Sequence, residues 1–293
     1  MHAPYCKNTP SFNPFIFPIL NFSIYFWSKL KYQHMRLIYL TLCFPLVLLQ
    51  ACTKEAATTT PTGSSNNTTN PVVSETVPDI YKKIYGASSI TSDGTYITIK
   101  TTGLPDHKSS YYATTNALYD NFSGTTFAGY QFQKNPNSIA EKSYIFKIPV
   151  APKVATNHAA TPLGAIGVSL NGVPFFNQYA GPNQPLTGEI VSFDRYWGHP
   201  APTGQYHYHV EPLYLTTVKV TKSSLLGFLL DGFPVYGPEE NGALVDNSKL
   251  DAYHGHTAVT ADFPSGIYHY HITNTDPYIN GSGYYGTPGT VSQ

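Results

Sequence analysis

The chain contains the tetrapeptide Tyr-His-Tyr-His twice, at residues 206–209 and again at residues 268–271. Tyrosine and histidine are abundant, at 24 and 11 of 293 residues, but composition alone does not place the same four-residue alternation inside longer matching stretches. A glycine stands two positions before each copy, at Gly204 and Gly266. The repetition therefore indicates a duplicated structural unit.

Two further blocks recur in the same order in front of the tetrapeptides. The blocks are Leu-Asn-Gly-Val-Pro-Phe at 170–175 with Leu-Asp-Gly-Phe-Pro-Val at 230–235, and Asp-Arg-Tyr-Trp-Gly-His at 194–199 with Asp-Ala-Tyr-His-Gly-His at 251–256. Two copies are too few for a solenoid. We therefore predict one domain with internal pseudo-twofold symmetry, whose halves cover about 165–210 and 225–272.

Residues 35–52, MRLIYLTLCFPLVLLQAC, resemble a bacterial lipoprotein signal that ends in a lipidated cysteine. Their apolar run is shorter than the roughly 20 residues of a membrane span, which disfavours a plain anchor, while an ordinary signal peptide is the other alternative. We predict a signal peptide at 35–51, lipidation of Cys52, and translation from Met35, so that residues 1–34 are not translated. Because Thr53 follows the cysteine, the lipoprotein pattern implies a lipid-anchored protein of the bacterial cell envelope, in the outer membrane if the cell is Gram-negative.

Residues 52–78 are rich in Thr, Ser, Asn and Pro and show no apolar periodicity. Such a segment cannot bury enough apolar surface to offset its ordering entropy, which predicts a flexible tether. A glycosylated stalk has the same composition.

Apolar residues alternate with polar ones throughout residues 79–293, which predicts strands. The predicted strands are 96–100, 126–132, 143–148, 164–170, 189–193 and 224–230. Hairpin turns are predicted at Asp93-Gly94, Asn171-Gly172, Asp231-Gly232 and Asn241-Gly242. The expected fold is mainly all-β, a sandwich-like or irregular β domain with little helix, in which the part before about residue 158 adds strands to the duplicated halves.

Histidines two apart in a strand point to the same face, so each tetrapeptide presents a pair of imidazoles. A Gly-His precedes each pair and can fold back beside it. The predicted metal ligands are His199, His207, His209, His256, His269 and His271, arranged as one shared site or as two equivalent sites. A structural hydrogen-bonded cluster and a metal-free acid–base site are the alternatives. Asp194 and Asp251 are candidate ligands or acceptors that fix the ring tautomer.

Composition limits the chemistry of such a site. All three cysteines, at positions 6, 43 and 52, and both methionines, at positions 1 and 35, precede the predicted domain. A blue-copper centre, a thiolate zinc site and an iron–sulfur cluster are thereby excluded. Imidazole with carboxylate or water suits zinc, copper(II), nickel or non-haem iron, and we favour copper or zinc.

Net charge, a glycine-rich motif and the histidines outside the repeats provide no further evidence of function. A net charge of zero gives no reason to expect nucleic acid as a partner. The Gly-x-Gly-x-x-Gly stretch at 281–286 is followed by no helical pattern, so no nucleotide site is predicted. His107 and His158 lie outside the repeats and are expected to be surface or core residues, and His254 replaces Trp197 of the other half.

The repeated motifs resemble those of the YHYH domain family of secreted proteins. They are, in chain order, Leu-Asp-Gly-Phe-Pro-Val-Tyr-Gly, Asp-x-x-x-Gly-His and Gly-x-Tyr-His-Tyr-His. The resemblance covers about 165–286 and implies a YHYH domain, while it implies no established activity.

The favoured hypothesis is a cell-surface lipoprotein that binds a divalent transition metal. The alternatives are a metal-dependent enzyme, a hydrolase or an oxidase, in which Asp194 or Asp251 handles protons, and an adhesion or glycan-binding module. The sequence identifies neither a small-molecule nor a glycan ligand.

Overall fold

The computed structural model of the protein describes residues 72–74 and 76–293. The predicted untranslated segment, signal peptide, lipidated Cys52 and most of the tether lie outside these residues. None of the helices within the described ranges combines the length and apolarity that a membrane span requires.

The described chain forms short strands joined by turns. In chain order the strands are β1 (Val72–Val73), β2 (Ala87–Ser92), β3 (Tyr96–Thr101), β4 (Tyr144–Pro149), β5 (Ala165–Ser169), β6 (Pro174–Phe176), β7 (Tyr179–Ala180), β8 (Gln184–Pro185), β9 (Gly198–Pro200), β10 (Tyr206–Tyr208), β11 (Leu225–Leu229), β12 (Pro234–Tyr236), β13 (Glu239–Glu240), β14 (Ala243–Leu244), β15 (Gly255–Ala258), β16 (Ile267–His271) and β17 (Thr290–Ser292).

Helix is a minor part of the described residues and occurs in short segments. They are α1 (Asp79–Lys82), four 3-10 turns at Phe127–Gly129, Leu186–Gly188, Ile190–Ser192 and Asn247–Lys249, and a π-helical turn at Leu215–Lys219. The prediction of a mainly β fold with little helix is confirmed.

A five-stranded sheet has the order β1-β2-β3-β4-β17. Its edge strand β1 lies in the segment predicted as a tether and pairs parallel with β2, and Val77 is buried. The folded part therefore begins before Asp79, because these residues find hydrogen-bond partners and a core position that composition alone does not reveal.

An eight-stranded sheet has the order β15-β16-β12-β11-β5-β6-β10-β9 and contains both copies of the repeat. In the first half the hairpin β5–β6 places β6 parallel to β10, which pairs antiparallel with β9. In the second half β11–β12, β16 and β15 repeat these pairings. The halves join where β5 pairs antiparallel with β11, so the pseudo-twofold axis passes between these two central strands.

The two sheets share one hydrophobic core, as expected of a sandwich-like fold. Tyr81, in the helical turn between β1 and β2, packs on Phe228 of β11 with ring centroids 4.6 Å apart. The hydroxyl of Thr101 at the end of β3 donates to the carbonyl oxygen of Gly172, 2.8 Å away, in the β5–β6 turn. The first part of the domain thus covers the duplicated half.

All four predicted hairpin turns are present between strands, and their glycines Gly94, Gly172, Gly232 and Gly242 have positive φ angles. Two strand predictions are wrong. Residues 126–132 contain the turn Phe127–Gly129, in which Ala128 has φ 55°, and residues 189–193 contain the turn Ile190–Ser192. In both segments the chain turns instead of extending, so the period-two pattern of the sequence does not produce a strand.

The tyrosines of the tetrapeptides lie in the core, opposite the histidines, and their hydroxyl groups are hydrogen-bonded. Tyr206 donates to both carboxylate oxygens of Asp194 at 3.0 Å, and Tyr268 donates to Asp251 at 2.9 Å. The second tyrosine of each copy contacts the Asn/Asp-Gly turn of its own half. Tyr208 accepts from the amide of Asn171 at 3.1 Å, and Tyr270 donates to Asp231 at 2.5 Å.

The contact between the two halves depends on a pair of equivalent glycines. A Cβ on Gly227 would lie 2.2 Å from the carbonyl oxygen of Val168, and a Cβ on Gly167 would lie 2.4 Å from that of Phe228.

We predict that Gly227→Ala lowers the free energy of unfolding by about 2–3 kcal/mol, because the central strands must separate to admit the methyl group. Urea denaturation measures the change. Gly188→Ala, where nothing lies within 4 Å of the added Cβ, is the control, and equal stability of the two variants would contradict the prediction.

The buried Asp231 makes stability depend on pH. Burial raises the pKa of its carboxyl group from 3.8 to about 6, against the hydrogen bonds from Tyr270, Gly286 and Phe233. A carboxyl whose pKa is higher in the folded state stabilises the protein fully below pH 3.8, and this contribution is lost as the pH rises through about 6.

We therefore predict that the free energy of unfolding of the wild type falls by up to about 3 kcal/mol relative to that of Asp231→Asn as the pH rises from 4 to 7. The other half already has an amide here, Asn171. Urea denaturation of both proteins at several pH values, with a chelator present, measures the difference, and a difference that does not change with pH would overturn the prediction.

Candidate metal centres

Each half of the eight-stranded sheet brings its three predicted histidines together. In the first half His199 on β9 lies directly opposite His207 on β10, and His209 follows β10 on the same face. In the second half His256 on β15 lies opposite His269 on β16, with His271 at the end of that strand. The halves thus form two separate clusters, which we name site 1 (His199, His207 and His209) and site 2 (His256, His269 and His271, with Glu240).

In site 1 the Nε2 atoms of the three imidazoles converge. His207 Nε2 lies 3.1 Å from His199 Nε2 and 2.9 Å from His209 Nε2. All three residues are buried. Phe176 stacks on His207, with ring centroids 3.9 Å apart, and Phe193 lies edge-on to His199.

The other ring nitrogens of site 1 fix which nitrogen carries the hydrogen. The Nδ1–H of His207 donates to the carbonyl oxygen of Gln205 at 2.9 Å, and that of His209 to the carbonyl oxygen of Asn177 at 2.5 Å. Ser192 Oγ lies 2.7 Å from the carbonyl oxygen of Glu189 and 2.6 Å from His199 Nδ1, so it can donate to the former and accept from the latter. Since a neutral imidazole carries one hydrogen, the Nε2 atoms of His207 and His209 present lone pairs, and His199 Nε2 does so when its Nδ1–H donates to Ser192.

Burial keeps these rings neutral. It lowers the pKa of His199 and His207 well below 6.5, with further lowering from neighbouring histidines, and it lowers the pKa of His209 to about 4. Lone pairs about 3 Å apart repel each other unless a cation lies between them. Three nitrogens at the corners of a tetrahedral site with metal bonds of about 2.0–2.1 Å are about 3.3–3.4 Å apart, close to the spacing found here.

Site 2 repeats this arrangement. His269 Nε2 lies 3.2 Å from His256 Nε2 and 3.1 Å from His271 Nε2. The Nδ1–H groups of His269 and His271 donate to the carbonyl oxygens of Ile267 and Gly237 at 3.0 and 2.9 Å. Burial lowers the pKa of His269, and that of His271 to about 4.

A carboxylate approaches each site, and sequence reasoning identified neither. Glu240 Oε1 lies 3.3, 3.6 and 3.8 Å from the Nε2 atoms of His256, His269 and His271. Glu189 Oε2 lies 3.5 Å from His199 Nε2 and 3.9 Å from His209 Nε2, and burial raises the pKa of Glu189.

The two glutamates come from different elements. Glu240 is in the small hairpin β13–β14, whereas Glu189 follows the 3-10 turn Leu186–Gly188. Comparison of the two repeats therefore could not reveal them. The only sequence signal was an acidic residue within a hairpin predicted at Asn241-Gly242.

The two predicted aspartates support the tyrosines. Among the described residues, neither Asp194 nor Asp251 hydrogen-bonds to any of the six imidazoles. Asp194 is fully buried, and its carboxylate accepts from the Tyr206 hydroxyl and the Tyr196 backbone amide. The expected role of orienting the imidazoles belongs instead to backbone carbonyls and Ser192, because the aspartates lie on the tyrosine side of the strands.

The three other histidines among the described residues lie outside both sites. His107 is buried, and its Nε2 accepts from the Tyr208 hydroxyl at 2.9 Å, so it supports the tetrapeptide from behind. His158 is exposed and stacks on Tyr253 with centroids 4.2 Å apart. His254 is buried, and its Nε2 lies 3.1 Å from the Thr273 hydroxyl.

Both sites open to clefts in the surface. Site 1 faces a cleft of about 560 Å³ lined by all three of its histidines, together with Glu189 and Lys134. Site 2 faces one of about 370 Å³ lined by His269, His271, Glu239 and Glu240. Each arrangement can hold a divalent ion through neutral imidazoles within reach of solvent.

Comparison with known proteins gives one result. The family model described as YHYH protein matches residues 145–243 and 239–283, which contain both histidine clusters. Searches of curated proteins and of solved structures found no match. The resemblance seen in the sequence is confirmed, and residues 145–283 of this chain are a domain of the YHYH family.

Proposed function

We propose that this protein binds two divalent transition metal ions, one at each histidine cluster. The observation that carries the proposal is the convergence of three Nε2 atoms in site 1, of which those of His207 and His209 are unprotonated because backbone carbonyls accept their Nδ1–H groups. A structural hydrogen-bonded cluster needs a hydrogen between the nitrogens, and these two rings place none between themselves. Copper and zinc suit imidazole and carboxylate ligands and are the proposed metals.

A metal-dependent enzyme is the second candidate, favoured by the cleft that reaches the three histidines of site 1. Three protein ligands with one open position are typical of catalytic zinc sites.

The alternative of an adhesion or glycan-binding module requires tyrosines that are exposed at the surface. All four tyrosines of the tetrapeptides are buried and hydrogen-bonded and offer no surface to a glycan or a partner protein, whereas Tyr85, Tyr130 and Tyr179 elsewhere in the domain are exposed.

We also propose that a lipid on Cys52 anchors the domain to the bacterial cell envelope through the tether, with translation from Met35. The lipoprotein-like segment 35–52 supports this proposal. The anchor would keep the metal sites at the cell surface.

The metal proposal predicts a stoichiometry. Full-length protein dialysed against zinc or copper should retain two equivalents of metal, measured by atomic emission after removal of free ions. His207→Ala and His269→Ala should each retain one equivalent, because each removes the imidazole that lies between the other two. His158→Ala, at an exposed position outside both sites, should retain two.

Folding must be checked because His207 and His269 are buried. Circular dichroism of each variant does so, and His256→Ala, at a partly exposed position, is a second way to remove site 2. Wild-type protein that is folded but retains less than one equivalent would rule out the proposal.

The anchor proposal predicts that Cys52→Ser moves the protein from the membrane fraction to the soluble fraction and abolishes labelling with radioactive fatty acid, because the lipid acceptor is lost. Cys43→Ser lies within the apolar run and should leave both unchanged. Labelling that survives in Cys52→Ser but is lost in Cys43→Ser would contradict the assignment.

A further inference from the structure

The two halves differ at the hairpin that lies over each site. In the second half this hairpin is β13–β14, and its strand β13 contributes Glu240 to site 2. In the first half the equivalent hairpin is β7–β8, and the residue that matches Glu240 is Ala180, the last residue of β7. A methyl group thus stands where the other half has a carboxylate.

Glu189 does not restore the missing ligand. Its carboxylate lies within 4.0 Å of His199 and His209 only, whereas that of Glu240 lies within 4.0 Å of all three histidines of site 2. The side chains that can hold one ion together are accordingly four in site 2 and three in site 1. An ion in site 1 retains a coordination position that no side chain of the site fills.

The charges around the sites differ in the same sense. The cleft in front of site 1 is lined by one lysine, Lys134, and one glutamate, Glu189. The cleft beside His269 and His271 is lined by Glu239 and Glu240, and the cleft beside His256 is lined by Glu240, Asp246 and one lysine, Lys249, so that the acidic residues outnumber the basic one around site 2. A small anion is therefore attracted to the first cleft more than to the second.

We propose that site 1 is an anion-binding metal centre, in which a small anionic donor from solution takes the open position, and that site 2 is closed by Glu240. The proposal rests on the metal binding proposed above. The anion would replace a water molecule on the metal, beside the Glu189 carboxylate, whose Oε2 lies 3.5 Å from His199 Nε2. The chemical class of the ligand is a small anion with one donor atom, such as azide, thiocyanate or a carboxylate.

Cobalt(II) provides the test, because its visible absorption responds to the number and type of ligands. Wild-type protein loaded with two equivalents of cobalt and titrated with azide should bind one azide per chain. His256→Ala, which retains site 1, should show the same spectral change, and His199→Ala, which retains site 2, should show none. Azide bound by both single-site variants, by neither, or by His199→Ala alone would overturn the proposal.

An exchange of the two matching residues gives an independent test that leaves all six imidazoles in place. Glu240→Ala should open site 2 and raise the azide bound from one to two equivalents. Ala180→Glu should close site 1 and abolish the response, since the equivalent hairpin position already accommodates a glutamate in the other half. A chain that binds no cobalt would refute the metal proposal itself, whereas two bound cobalt ions with azide binding unaltered by both changes would refute only the difference between the sites.

Discussion

The chemistry of this domain depends on where each imidazole uses its single N–H. In site 1 the Nδ1–H groups of His207 and His209 donate to the carbonyl oxygens of Gln205 and Asn177, and His199 Nδ1 lies 2.6 Å from the hydroxyl oxygen of Ser192. The lone pairs of His207 and His209 Nε2 then have no donor between them. A buried set of lone pairs aimed at one point costs free energy in the absence of a cation, so the backbone that orients the rings also determines what they can bind.

The alternation of Tyr and His in the tetrapeptide uses both faces of the strand. Tyrosine hydroxyls attach one face to the scaffold through Asp194 and Asp251, while the imidazoles on the other face converge. The tyrosines restrict the register of β10 and β16, and the register places His207 opposite His199 and His269 opposite His256. A shift of one residue would put the tyrosines at the clefts and the histidines in the core.

The sequence was sufficient to predict the duplication, the hairpin turns and the grouping of the six histidines, because these depend on local motifs that recur in the same order. It was not sufficient to predict the two glutamates that lie near the imidazoles. Glu189 reaches site 1 from a 3-10 turn, a segment in which period two indicated a strand, and Glu240 has an alanine as its counterpart in the first repeat. It also assigned Asp194 and Asp251 to the imidazoles, since proximity in sequence does not show on which face of a strand a side chain lies.

The two halves share the features that orient the imidazoles but differ in the hairpin beside them. The orientation of the rings is retained by equivalent acceptors, the carbonyl oxygens of Asn177 and Gly237 for the last histidine of each tetrapeptide. The glycines at the central pair of strands are also retained, since any side chain there would separate the halves. The residue on the hairpin is not retained, since the first half has the buried Ala180 where the second half has Glu240, half-buried beside the imidazoles. Duplication thus leaves the orientation of the imidazoles fixed by the core, while the hairpin residue next to them differs between the halves.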